Sequence, residues 1–231
     1  MDKESKKKMP FWLQLIAILL AGVIASCGVY YSIRDYNTER FTVTFAYGDG
    51  SLIKTEEVKA GKGVFPPELD SDYVFRGWDR TLNQINNNLE AHPDLYKAIE
   101  DNLFYFDSVY VQEGQSFTLD LMLGGTVNLS SGEVILVYDE DVMEYKSYQA
   151  LKSVGITKTG KVELTIKLDS NEPIIQKTEL AQIKFRARKA NAEFTQAVLS
   201  AKSAKLVLGG DEKTVDCATI NNKIFFMQGV G

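Results

Sequence analysis

After the basic run Lys6-Lys7-Lys8 the chain passes from Met9 to Ile33 without a single charge, and Gln14 and Ser26 are the most polar residues inside that stretch. A helix rises about 1.5 Å per residue, so roughly 20 apolar residues cross the hydrocarbon core of a bilayer. The segment is long enough to span. Core helices of soluble proteins seldom carry so long an uncharged run, so the pattern predicts a transmembrane helix over residues 10–33. Lysines before it and Arg34-Asp35 after it place the basic tail, residues 1–9, in the cytoplasm and everything beyond Ile33 outside. Trp12, Tyr30 and Tyr31 fall where an aromatic interface belt would lie.

A second reading competes at the same place. Ile24-Ala25-Ser26-Cys27 resembles the lipobox of bacterial lipoproteins, which would make Cys27 a lipidation site and the mature N-terminus, with Phe11–Val23 as the apolar signal region. Against it, Gly28-Val29-Tyr30-Tyr31-Ser32-Ile33 stays apolar where a lipoprotein turns into a polar tether. An uncleaved anchor is the favoured reading. Both end with a protein held on the outer face of a bacterial cytoplasmic membrane, its C-terminal region extracellular.

The formal net charge of the 231 residues is −5, and the lysine-rich tail makes the remainder more acidic still. An acidic body excludes a nucleic-acid surface. One histidine, His92, and two cysteines, Cys27 and Cys217, are too few for a zinc cluster, a Cys/His nucleophile pair or a disulfide framework. No GxSxG, HExxH, P-loop or GxGxxG pattern occurs in a strand-turn-helix setting. We therefore expect no enzyme, no catalytic residue, no cofactor and no resident metal. Cys217, in the strand-like stretch VDCATI, reads as a small buried hydrophobe.

Phe41-Thr-Val-Thr-Phe-Ala46 alternates with the two-residue period of a half-buried strand. Gly48-Asp49-Gly50 then predicts a hairpin turn, Leu52–Val58 a second strand, Gly61-Lys62-Gly63 another turn, and Pro66-Pro67 an extended connection. Tyr73-Val74-Phe75-Arg76-Gly77-Trp78 follows as a third strand, with the aromatics at 73 and 75 on one face. FTVTF, the GDG turn, the prolines and YxFxGW together resemble the internalin-type B repeat, or Listeria-Bacteroides repeat. The likeness covers residues 40–98 and implies a small β-grasp-like module of bacterial surface proteins, serving as a spacer or in adhesion. Its closing strand, near Leu89–Ala98, is interrupted by His92-Pro93-Asp94. Tyr73, Phe75 and Trp78 could offer a sugar-stacking platform, but a domain this small needs every large side chain for its core, which is the preferred reading. His92 reads as a surface residue.

Asp101–Asp107 reads as a short connection. Beyond it, Phe117, Leu119 and Leu121 alternate with polar residues, as do Val162, Leu164, Ile166 and Leu168, and Ala181, Ile183, Phe185 and Ala187. Val134–Tyr138 is almost continuously apolar, as in a strand covered on both sides. Turn signals at Gly124-Gly125, Ser130-Ser131-Gly132, Gly160, Asn171-Glu172-Pro173 and Gly209-Gly210-Asp211 divide these runs, which describes a β-sandwich.

Val111-Gln112-Glu113-Gly114-Gln115-Ser116-Phe117 resembles the opening strand of a cohesin domain. Glu133–Tyr145, with Tyr138-Asp139 inside it, is similar to the family's LxYDxxVLE segment, and Leu180–Arg188 to its LAxIxFxA strand. The resemblance covers residues 108–227 and implies a jelly-roll-like sandwich of the cohesin and carbohydrate-binding-module type. Cohesins bind dockerins, calcium-loaded helical modules, through one sheet face. No dockerin-type calcium loop occurs in this chain, so the implied partner is another extracellular protein. A polysaccharide is the alternative ligand, weakened by the absence of tryptophan from the sandwich. Tyr138 is expected to pack inside while Asp139 orders the next turn, a metal role for Asp139, Glu140 and Asp141 being the lesser reading. The whole is thus expected to be mainly β: a transmembrane helix, a small β-grasp-like unit, then the sandwich.

Overall fold

The computed structural model describes residues 10–36, 38–69, 73–97, 103–124, 129–174, 178–189, 192–208, 211–214 and 218–230. Two compact units divide the chain, Met1–Arg40 and Phe41–Gly231. The first contains the helix α1, Phe11–Tyr36. Its stretch Phe11–Val29 is long and apolar enough to cross a membrane, and Phe11, Trp12, Ile18, Ile24 and Cys27 are all exposed. Ser26 Oγ donates to the carbonyl of Gly22 at 2.8 Å, which lets a hydroxyl sit in an apolar helix without an open donor. The helix continues past Cys27 and past the expected end at Ile33. Residues 1–9, with their lysines, lie outside the described residues, as do the side chains of Tyr30 and Tyr31.

The second unit opens with β1 (Arg40–Ala46), β2 (Leu52–Lys59), β3 (Val74–Trp78), β4 (Leu89–Ala91) and β5 (Pro93–Tyr96). β1 lies between β2 and β4 in a three-stranded sheet, and β3 pairs with β5 in a separate ribbon. The β1–β4 pairing is parallel, Phe45 opposite Ala91. The GDG turn forms as expected: Tyr47 N donates to Ser51 O at 2.9 Å, Asp49 accepts from Ser51 N, and Gly50 takes φ of +84°. The interruption at His92-Pro93-Asp94 is a change of sheet, since β4 ends before His92 and β5 begins after it. Reciprocal bonds between Asp79 and His92 hold that corner, Asp79 N to His92 O at 3.0 Å and His92 N to Asp79 Oδ1 at 2.8 Å. One expectation needs correction: Tyr73 precedes β3 instead of sharing a strand face with Phe75, and it is 44% exposed.

The remaining strands are β6 (Leu103–Tyr105), β7 (Val109–Gln112), β8 (Ser116–Gly124), β9 (Leu129–Val137), β10 (Met143–Ala150) and β11 (Val154–Lys158). After them come β12 (Glu163–Ile174), β13 (Thr178–Ala187), β14 (Phe194–Gln196), β15 (Val198–Leu208), β16 (Asp211–Thr214), β17 (Ala218–Thr219) and β18 (Lys223–Met227). One five-stranded sheet runs β10-β13-β8-β6-β17, the other β11-β12-β9-β15-β16, and β14-β18-β7 forms a smaller third. Alternation places Leu119, Leu121, Ile183 and Phe185 on the inner face of the first sheet, packed in one core with Val134, Leu136, Leu164, Ile166 and Leu168 from the second. This is the expected sandwich, with strands that bury one face each.

Three expectations for this region are overturned. Leu103–Phe106 is a fully buried segment carrying β6, not a connection. Four consecutive apolar side chains can be covered on both faces only inside a sheet, where the segment pairs with β8 and β17. The turn signal Ser130-Ser131-Gly132 lies within β9, where ladder pairing such as Gly132 opposite Leu168 outweighs local turn preference, while Asn171-Glu172-Pro173 falls in an irregularity inside β12, whose register against β9 shifts between Asp169 and Ile174. Val162 precedes β12 and is exposed. The Gly160 turn is as expected, with φ of +99° and Thr159 N bonded to Glu163 O. Gly209, Gly210 and Cys217 lie outside the described residues.

Candidate functional site: an open sheet face

β9 occupies the centre of its sheet, so its outward residues sit in the middle of the widest flat surface on the sandwich. Val134 and Leu136 point into the core, which sends Glu133, Ile135 and Val137 outward. Register then builds rows across neighbouring strands. Thr157, Thr165, Ile135 and Ser200 lie side by side in one row, and Glu163, Val137 and Val198 in the next. Gly155, Lys167 and Glu133 form the third row.

The middle of this face carries no charge. Val137 is 37% and Val198 36% exposed, while Ile135 is sunk to 6% between its neighbours. Gly155, Thr157 and Ser200 are also exposed. Charges stand at the margins, where Lys167 Nζ lies 3.8 Å from Glu133 Oε2. At the opposite margin Thr159 Oγ1 meets Thr165 Oγ1 at 2.8 Å and donates to Glu163 Oε1 at 3.3 Å. Backbone groups across β9 are consumed by its two neighbours, so recognition here falls to side chains. An apolar centre with a polar rim suits docking of a folded partner. Expecting Val134–Tyr138 to be covered on both sides was therefore right for Ile135 and wrong for Val137.

The other sheet offers no such face. Its outer surface at β10 and β13 is charged, with Glu144 bonded to Lys146 at 2.6 Å and 3.8 Å from Arg188. At β6 and β8 it is covered, because Val74 of β3 packs on Leu103, Tyr105 and Met122. A cavity of about 150 Å³ remains there between Tyr73, Tyr105, Asp107, Asp120 and Glu179. Asp107 Oδ1 accepts from Phe75 N at 2.8 Å. Burial, and then the nearby Glu179, raise the Asp120 carboxyl above its ordinary range.

The three aromatics considered as a sugar platform are thereby separated. Trp78 is 6% exposed and edge-on to Phe45 at 4.8 Å, Phe75 is half-buried, and only Tyr73 reaches the surface. Trp78 and Phe75 have the core role preferred for them. At the Tyr138-Asp139 pair, Tyr138 is buried edge-on to Phe185 at 5.1 Å, and its hydroxyl donates to Lys161 O at 3.1 Å. Asp139 Oδ1 accepts from Asp141 N and its carbonyl from Met143 N, both at 2.9 Å, so the aspartate builds the turn into β10. Among the described residues no group of three His, Cys, Asp or Glu side chains is arranged to hold a metal.

A β-sandwich with one sheet partly covered and the other open around an uncharged central row, Thr157, Thr165, Ile135 and Ser200, has the form of a binding module. Its family follows from the sequence: the cohesin-domain model matches residues 104–226, more than half of the chain, and the protein belongs to that family. Cohesin domains are non-catalytic binding modules. The match begins at Phe104, within β6. Solved structures similar to this chain include the seventh ScaB type I cohesin of Pseudobacteroides cellulosolvens, 13% identical over 55% of this chain and 92% of that one, with a TM-score of 0.49. A non-cellulosomal cohesin from Archaeoglobus fulgidus is 16% identical over 55% and 92%, TM-score 0.47. A type I cohesin–dockerin complex from Clostridium thermocellum is 10% identical over 55% and 94%, TM-score 0.46. No curated protein matches the chain.

Proposed function

We propose that this protein is a membrane-anchored, non-catalytic receptor on the outer face of a bacterial cytoplasmic membrane. In this reading α1 is the single-pass anchor, residues 40–98 are a B-repeat-like spacer or adhesion module, and the sandwich holds an extracellular protein of dockerin type or another surface protein. The observation that carries it is the row pattern of Ile135, Val137, Val198, Thr165 and Ser200 on an otherwise unoccupied sheet face. Family membership supports a protein partner, and the apolar length of Phe11–Val29 supports the anchor.

The test is binding of purified, calcium-loaded dockerin modules from the source organism to the detergent-solubilised chain. Val198→Glu or Val137→Glu adds a carboxylate to the row that already holds Glu163, next to the uncharged row of Ile135, without touching the core. Either is expected to weaken binding by tenfold or more while leaving the melting temperature within about a degree, since surface substitutions change stability little. Binding that survives both changes would place the partner on another surface, and retention of polysaccharide alone would replace the protein partner by a glycan.

A further inference from the structure

The segment that ends the sandwich also completes the core of residues 41–98. Met227, at the end of β18, is packed among Val43, Phe45, Val58, Trp78, Leu82 and Ile85. Asn83 grips the same strand on both sides, its Nδ2 donating to Phe226 O at 3.0 Å and its Oδ1 accepting from Gln228 N at 2.8 Å. Gly63 forms a parallel bridge with Val230.

A second set of contacts fastens β3 to the start of the sandwich. Ser108 N donates to Phe75 O and Phe75 N to Asp107 Oδ1, both at 2.8 Å. Trp78 N donates to the Tyr110 hydroxyl at 2.9 Å. Tyr110 stacks face to face on Phe225 at 4.5 Å with 6° between the rings. Gly77 makes this approach feasible: it has φ of +124°, and a Cβ there would stand 2.9 Å from the Phe225 ring. Asn222, fully buried, donates to Phe106 O and lies 3.4 Å from Phe75 O. Aromatic rings thus run unbroken from Phe194 on the sandwich through Phe225, Tyr110, Phe75 and Trp78 to Phe45.

We infer that β18 and the residues after it are a clasp that makes residues 41–98 and the sandwich a single cooperative folding unit, so that the first module is a stiff arm for the binding sheet instead of a hinged spacer. An independently folding spacer would own its core and meet its neighbour through a few exposed contacts. This module lacks part of its core without Met227, and β3, through Phe75 O, and the isolated bridge at Gly63 bond backbone to backbone with the sandwich and its C-terminal segment. The inference does not depend on which partner the open face holds.

Hydrogen exchange on the full chain in detergent, followed by mass spectrometry, tests it. Tyr110→Phe keeps the ring stack and deletes one hydrogen bond to Trp78, while Ile156→Val trims the sandwich core far from the clasp. One cooperative unit requires each variant to speed exchange of the slowest amides in β1 and in β13 by the same factor, roughly threefold to tenfold for changes of this size. Tyr110→Phe acting on β1 alone, or Ile156→Val leaving β1 unchanged, would overturn the clasp and restore a hinged spacer. Gly77→Ala, which drives a Cβ into Phe225, is expected to exceed both in the same two places.

Discussion

Asp120 stands on the outer face of β8, where the fold brings it beside Glu179 at the edge of a small cavity. Its carboxyl holds a proton more tightly in the folded state than in the unfolded chain. Stability from this group is therefore present at pH values below the ordinary carboxylate range and is lost as pH rises through its higher folded value. Asp120→Asn removes that loss, so the variant is expected to melt higher than the parent at pH 7, with the gain shrinking to nothing on acidification. Thermal melts across pH 3 to 8 check it. Nothing in the local sequence announces this residue, because its neighbour Glu179 comes from a strand 59 positions away. Tyr138 and Asp139, by contrast, were legible from the chain alone: a tyrosine ending an apolar run packs inward, and an aspartate after it bonds two residues on.

Strands with strict alternation, such as β1, β8 and β13, were readable because one wet face leaves a period of two in the sequence. β6 was not. Phe104, Tyr105 and Phe106 lack any polar residue to mark a period, and the ladder is only three residues long. Its importance is tested by Phe104→Ala, which deletes a fully buried ring from the larger core and is expected to cost about 3–5 kcal/mol. Urea unfolding of the full chain measures this. β9 and β12 teach the complementary lesson. The Ser-Ser-Gly stretch of β9 has turn chemistry, yet a central strand gains ladder bonds by continuing, whereas Asn-Glu-Pro of β12 interrupts the pairing without ending the strand, and a single sequence does not display the difference. The candidate face was only half legible for the same reason: the outward positions Ile135 and Val137 look like core until pairing with Thr165 and Val198 shows which side they take.

At the level of the molecule, the long apolar segment was the clearest feature of the sequence and the contacts between the two β regions the least. Deleting residues 1–36 is expected to move the protein from the membrane pellet to the soluble fraction with the fold of 41–231 intact, measured by fractionation and far-ultraviolet circular dichroism. A lipoprotein processed at Cys27 would instead appear as a mature chain beginning at that residue, read by intact mass. The proposed coupling escapes sequence reading because Met227 is far along the chain from Gly77 and Asn83, and each is unremarkable alone.

Met227 has one more consequence, and it concerns time. A ribosome adds roughly 5–20 residues per second, so the strand that fills the first module's core appears on the order of ten seconds after the module's own last strand. During that interval Phe45 and Trp78 have no lid. Nascent chains of this protein should therefore be most vulnerable to proteases and most in need of a chaperone while the sandwich strands are being made, and they should lose that vulnerability only when β18 arrives.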